Sequence, residues 1–243
     1  MEWTDQGIVI RVRPHGETSA IIELLTPEKG RHAGLVHGGR SKRLRGVLQP
    51  GNQVRATWRA RLEDHLGYFE IDAADPFPAE LLDDRLAISG LNASCTLLSQ
   101  VAPEREAHPK LFDAFSTLIA NMDQPDIWPA LMTRFEAGLL AELGFGLDLR
   151  RCAATGVEED LIYVSPKSGR AVSEAAGEPY KDKLFLLPEY MRGGAPNLKE
   201  GDVAAAFALT GHFLERWVLW PSDKQLPEAR AEMLERLEKA GRL

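Results

Sequence analysis

Apolar and polar positions alternate with period two through much of the first 76 residues, the mark of strands with one buried face. In Gly7-Ile8-Val9-Ile10-Arg11-Val12-Arg13 the alternation puts Ile8, Ile10 and Val12 on one face and Val9, Arg11 and Arg13 on the other. Pro14-His15-Gly16 interrupts it, and 20–25 supplies a second, more buried strand. Pro27-Glu28-Lys29-Gly30 predicts a turn, 31–36 a third strand, Gly38-Gly39-Arg40-Ser41-Lys42-Arg43 a mobile basic loop, and Pro50-Gly51 a further turn. The clearest strand is 54–62: period two sends Val54, Ala56, Trp58, Ala60 and Leu62 inward, and Arg55, Thr57, Arg59 and Arg61 to the other face. A last strand, 68–73, follows a turn at Gly67. Five short strands of this kind predict a small closed barrel over 1–76.

After Asp75-Pro76-Phe77-Pro78 the period changes to that of helices. Helices are expected over 79–101, with a break near Ser89-Gly90, and over 109–121. Trp128, Leu131, Met132, Phe135, Leu139 and Leu143 form a helical stripe that Gly144-Phe145-Gly146 ends. Periodicity is lost in 151–190, which reads as a compact irregular insert with short strands at 161–164 and 184–187. Helix returns over 203–219, with Phe207, Phe213, Leu214 and Trp217 on its apolar side, and over 227–240. The expected organisation is therefore a barrel domain at 1–76, a helical domain split between 77–150 and 191–243, and the insert at 151–190 between its halves.

Composition is that of an ordinary globular chain of 243 residues, 44% hydrophobic and 27% charged. No apolar run is long enough to span a bilayer, no export signal is visible, and the cytoplasm is the expected location. The net charge of -7 hides an asymmetry. Residues 29–62 carry nine basic side chains, seven of them arginine, and no Asp or Glu. Arginine forks onto phosphate and stacks on bases, so Arg31, Arg40, Lys42, Arg43, Arg45, Arg55, Arg59 and Arg61 are the expected DNA-binding residues. Along a strand, Arg55, Arg59 and Arg61 would stand roughly 7–13 Å apart, a spacing comparable with phosphates of an extended strand. A basic five-stranded barrel fits the OB type, which binds nucleic acid on one face.

No catalytic motif accompanies this. Gly38-Gly39-Arg40-Ser41-Lys42 lacks the order of a phosphate loop, and Gly144-Phe145-Gly146 follows a helix rather than a strand. The two cysteines, Cys95 and Cys152, match no zinc spacing and read as small buried side chains. The acidic runs Asp83-Asp84 and Glu158-Glu159-Asp160 read as solvated.

Four segments in order give the chain a resemblance to the RecO family of bacterial recombination mediators. They are the run Trp58-Arg59-Ala60-Arg61-Leu62-Glu63-Asp64-His65-Leu66-Gly67, the run Glu142-Leu143-Gly144-Phe145-Gly146-Leu147-Asp148-Leu149, the run Tyr163-Val164-Ser165-Pro166-Lys167-Ser168-Gly169-Arg170, and Leu226-Pro227-Glu228-Ala229-Arg230. The resemblance implies an α+β multidomain fold: an N-terminal OB-fold β-barrel, then a mainly helical domain with a small zinc-ribbon-like insert. It also implies binding of single- and double-stranded DNA, annealing of complementary strands, and assistance, with RecR, to RecA loading onto DNA coated by single-strand-binding protein. The acidic-hydrophobic tail of that protein is an expected partner, for which Lys110, Arg134, Arg150 and Arg151 are weak candidates.

One departure concerns the insert, where many family members carry two C-x-x-C pairs. Here Cys152 holds the first position, Thr155 the second, and Ser173 and Ala176 the other two. One thiolate cannot hold a tetrahedral zinc, so no metal or other cofactor is expected, and packing through Leu161, Tyr163, Val164 and Val172 would hold the insert instead. Two rival readings stay open: an interaction scaffold that does not bind DNA, and a metal-dependent nuclease.

Overall fold

A computed structural model describes residues 1–193 and 198–243, so positions 194–197 of the expected C-terminal segment lie outside the described residues. The chain packs as two compact units, Met1–Asp123 with Pro227–Met233, and Gln124–Leu226 with Leu234–Leu243. No helix among the described residues is long and apolar enough to cross a membrane.

The first unit opens with a closed barrel of β1 (Glu2–His15), β2 (Ser19–Thr26), β3 (Gly30–Val36), β4 (Gln53–Arg59) and β5 (Tyr68–Asp75), in the order β1-β2-β3-β5-β4. This is the OB topology. Long β1 makes closure possible, because its first half pairs with β4 and its second half with β2. Val9, Ile22, Leu24, Val36, Val54, Ala56, Trp58 and Phe69 fill the interior.

Strand β1 does not keep one face throughout. Ile8 and Ile10 do share a buried face, but Val12 turns to the barrel interior with Val9. The cause is a bulge: Val9 pairs with Leu24 and Arg11 with Glu23, so Ile10 is an extra residue and the side-chain phase slips by one. Outward-facing Ile8, Ile10 and Leu25 are nonetheless buried, and helices α2 (Arg85–Val101) and α3 (Pro109–Ala120) pack against β1 and β2 respectively. The expected break of α2 near Ser89-Gly90 does not occur. The helix starts instead at Asp84, whose carboxylate accepts from the Leu86 and Ala87 amides at 2.8 and 3.2 Å. Ser89 and Gly90 are small buried positions within it.

In the second unit, α4 (Trp128–Glu142) buries Trp128, Met132, Phe135 and Leu139 and ends in the left-handed turn at Gly144 (φ +86°). It packs against α6 (Asp202–Phe213). The helical path beyond α6 widens into a π-helical turn over Leu214–Leu219 rather than running straight to 219. Leu214 and Leu219 are five residues apart and both fully buried, a spacing that i→i+5 winding brings onto one face.

The insert is a three-stranded sheet, β6 (Leu161–Val164), β7 (Ala171–Ser173) and β8 (Phe185–Leu186), in the order β7-β6-β8. Strand β7 and the one-turn helix α5 (Glu174–Gly177) escaped the sequence reading, because three and four residues carry too little periodicity to register. Helix α7 (Glu228–Lys239) closes the chain.

Candidate nucleic-acid interface

The expected basic loop is in fact a turn and a helix. Ser41 caps α1 (Lys42–Val47), its hydroxyl accepting from the Leu44 amide at 3.3 Å. Leu44 and Val47 pack on the barrel core beside buried Leu48, an i, i+3, i+4 apolar set. Lys42, Arg43 and Arg45 are left exposed on the opposite side. Asn52 locks the far end of the helix: its amide donates to the Gly46 and Val47 carbonyls at 3.0 and 2.8 Å, and its side-chain oxygen accepts from the Phe77 amide at 2.8 Å. Arg40 donates to the Gly16 carbonyl at 2.8 Å, tying this segment to the β1–β2 turn.

Strand β4 stops at Arg59, so Arg61 lies in the following loop rather than on the strand, and Leu62 is exposed rather than inward. The loop is fastened from two sides. Trp58 Nε1 donates to the Leu66 carbonyl at 3.0 Å, and the Arg105 guanidinium donates to the Glu63 and His65 carbonyls while lying 6.0 Å from the Trp58 ring centre. Gly67 must be glycine here: its φ is +61°, and a Cβ would stand 2.5 Å from Trp58 Nε1.

The eight expected contacts divide by their neighbours. Arg59 is clamped between Glu2 (3.0 Å) and Glu70 (2.5 Å); these hydrogen bonds raise its pKa above the usual arginine range and lower that of Glu2. Arg31 is 14% exposed and held by Glu23 at 2.9 Å, Glu104 at 3.1 Å and the Ala102 carbonyl at 2.8 Å. Thr57, read as outward, is buried, bonded to Thr4 at 2.8 Å and to Asp72 at 3.1 Å. Among the described residues, Lys42, Arg43, Arg45, Arg55 and Arg61 are exposed and make no ion pair. These five, with Arg40 engaged only by a neutral carbonyl, are the cations left to meet an anion.

Strand register adds residues that alternation alone could not find. Ladder partners run Arg13–Ile21, Ile21–Leu35, Leu35–Tyr68, Tyr68–Arg59 and Arg59–Glu2, a single row across the outer face. His37 stands beside Tyr68, ring centres 5.8 Å apart. Leu35, His37, Arg59, Arg61, His65 and Tyr68 line an open cavity of about 720 Å³ at this point. Arg13 is exposed, without an ion pair among the described residues.

The chain matches the family model for the recombination protein O N terminal over residues 1–77 and that for its C terminal over 82–226. A DNA repair protein RecO of Phenylobacterium zucineum (strain HLK1) is 52% identical over 243 residues, covering 100% of both chains. One from Methylorubrum populi (strain ATCC BAA-705 / NCIMB 13946 / BJ001) is 50% identical over 240 residues, covering 96% of this chain and 97% of the relative. The chain belongs to the RecO family.

Zinc, which the RecO resemblance associates with the insert, does not fit the residues present. Cys152 is buried, and its sulfur accepts from the Ser173 amide at 3.3 Å and the Ser173 hydroxyl at 3.4 Å. Among the described residues no three His, Cys, Asp or Glu converge as a metal would require. Leu161, Tyr163, Val164 and Val172 of the insert are buried. Of the candidates for a protein tail, Arg151 is paired with Glu158 at 2.8 Å.

Proposed function

We propose that the exposed cations of α1, β4 and the β4–β5 loop form the DNA-contacting surface of this RecO-family chain. As a RecO-family member the chain is a non-catalytic DNA repair protein with the DNA-binding, strand-annealing and recombination-mediating role of that family. The observation that carries the surface assignment is the set Lys42, Arg43, Arg45, Arg55 and Arg61, five exposed charges with no carboxylate partner among the described residues. An unpaired cation releases counterions from DNA when it binds phosphate, whereas one already neutralised, such as Arg59 or Arg31, gives up an existing partner to do so.

Annealing then follows from charge. Two strands repel through their phosphates, and a shared cationic surface lowers that repulsion and leaves pairing to the bases. The partners proposed with it are single- and double-stranded DNA, RecR, the tail of single-strand-binding protein and, indirectly, RecA; the proposed setting is the cytoplasm, at the nucleoid. A strand-annealing assay on bare and on protein-coated DNA, with and without Mg²⁺, tests the assignment. Wild type should anneal in both, without cleavage, and a variant with Lys42, Arg43, Arg45, Arg55 and Arg61 all replaced by alanine should not. Full annealing by that variant would move the DNA surface elsewhere, and Mg²⁺-dependent cleavage would make the chain a nuclease.

A further inference from the structure

The row across the outer barrel has a chemistry that phosphate binding does not use. Ile21, Leu35 and Tyr68 occupy three successive strands, β2, β3 and β5, and each is half-buried. All three face outward, because their neighbours Ile22, Val36 and Phe69 fill the barrel interior. An apolar and aromatic stripe at outward, half-buried positions offers a surface that a ligand can cover. The stripe is flanked by charge: Arg13 at one end, Arg61 on the wall of the Tyr68 cavity at the other, both without a carboxylate partner among the described residues. Between them, Arg59 is held by Glu2 and Glu70 and borders Tyr68 without a free charge to offer.

An uncharged, apolar stripe with cations at its rim matches the chemistry of an unpaired nucleotide strand, whose bases have two apolar faces and whose backbone is anionic. Resting on the reading that this barrel meets DNA, we propose that Tyr68, with Leu35 and His37 beside it, is the seat of an unstacked base, and that the strand runs across β2, β3, β5 and β4 rather than along β4. From Arg13 to Arg59 the row covers four strand spacings around the curved outer face of the barrel, about 19 Å and longer than one nucleotide. In a duplex the base faces are already stacked on one another, so only the phosphates are offered. The seat therefore discriminates single strands, while the α1 cations serve both forms. Stacking also uses the faces of a base and leaves its pairing edge free, as annealing requires.

The test uses the full chain and three probes of equal length: oligothymidylate, a strand of abasic nucleotides, and a duplex. Wild type should bind oligothymidylate about 5- to 150-fold more tightly than the abasic strand, the range expected from stacking a base on an aromatic ring. Tyr68→Ala should remove most of that advantage and leave abasic and duplex affinities unchanged, and Tyr68→Phe should restore it. Equal wild-type affinity for the base-bearing and abasic strands overturns the seat even if Tyr68→Ala fails to fold. So does a Tyr68→Ala variant that loses RecR capture but binds all three probes normally, which would give the stripe to a protein partner. If the seat fails in either way while replacement of Arg55 and Arg61 still weakens all three probes, the DNA surface stands without it. If no probe binds wild type, the DNA reading itself falls.

Discussion

Arg31 on β3 donates to the Glu23 carboxylate on β2 at 2.9 Å, and the two side chains are only 14% and 5% exposed. Glu104 at 3.1 Å completes the coordination of the guanidinium, and Arg11 reaches Glu23 at 3.6 Å from the exposed side. A pair so placed belongs to the architecture. Arg31→Ala leaves a nearly buried carboxylate facing one distant cation, and should cost about 3 kcal/mol of stability. Urea denaturation should show the loss, and DNA affinity of the remaining folded protein should be unchanged. A folded Arg31→Ala protein of normal stability and weakened DNA binding would return Arg31 to the interface.

His32 makes stability pH-dependent. Its ring sits inside the barrel among Trp58, Trp3 and Phe69, at centroid distances of 4.8, 5.0 and 6.1 Å, with no hydrogen-bond partner at either nitrogen among the described residues. Burial, reinforced by the charges of Arg105 and Lys29, pushes its pKa down from 6.5 to about 4. The neutral ring is therefore the folded form, and the unfolded chain binds the extra proton between pH 6.5 and 4. Stability should be complete above pH 6.5 and decline as pH falls toward 4, by roughly 3 kcal/mol from this group. Urea midpoints across that window should fall for wild type and lose this component in His32→Phe. Identical pH profiles for the two proteins would remove His32 as the cause.

Chelation should be inert. With the Cys152 sulfur accepting from Ser173 and no cluster of metal-ligating side chains among the described residues, dialysis against a zinc chelator should leave the melting temperature unchanged. Purified protein carrying about one equivalent of zinc, with a chelator lowering its melting point, would contradict the metal-free insert.

How far the sequence could be read depends on whether a property is local. The barrel was legible because apolar residues alternate at Val54, Ala56 and Trp58 and run almost unbroken through 20–25, although alternation did not foretell the burial of Thr57. Helix α1 was missed because Gly38, Gly39 and four basic residues mask the short apolar set Leu44, Val47 and Leu48. The bulge at Ile10 is invisible to alternation, which carries straight through it. The candidate site was legible in its charge and not in its pairing. Arg59 and Arg61 look alike along the chain, yet Arg59 is neutralised by Glu2, 57 residues away, and by Glu70 on the next strand. Arg13, Leu35 and Tyr68 were each readable as strand residues, but only register places them in one row.

The salt dependence of single-strand affinity tests the central claim most directly. The five cations without an ion pair among the described residues, meeting phosphate, predict a log–log slope of roughly -3.5 for wild type, from about 0.7 counterion released per contact. A variant with Lys42, Arg43 and Arg45 replaced by alanine should flatten the slope to about -1.4 and weaken every sequence alike. A wild-type slope near zero, or a variant slope equal to that of wild type with the barrel intact, would contradict the account.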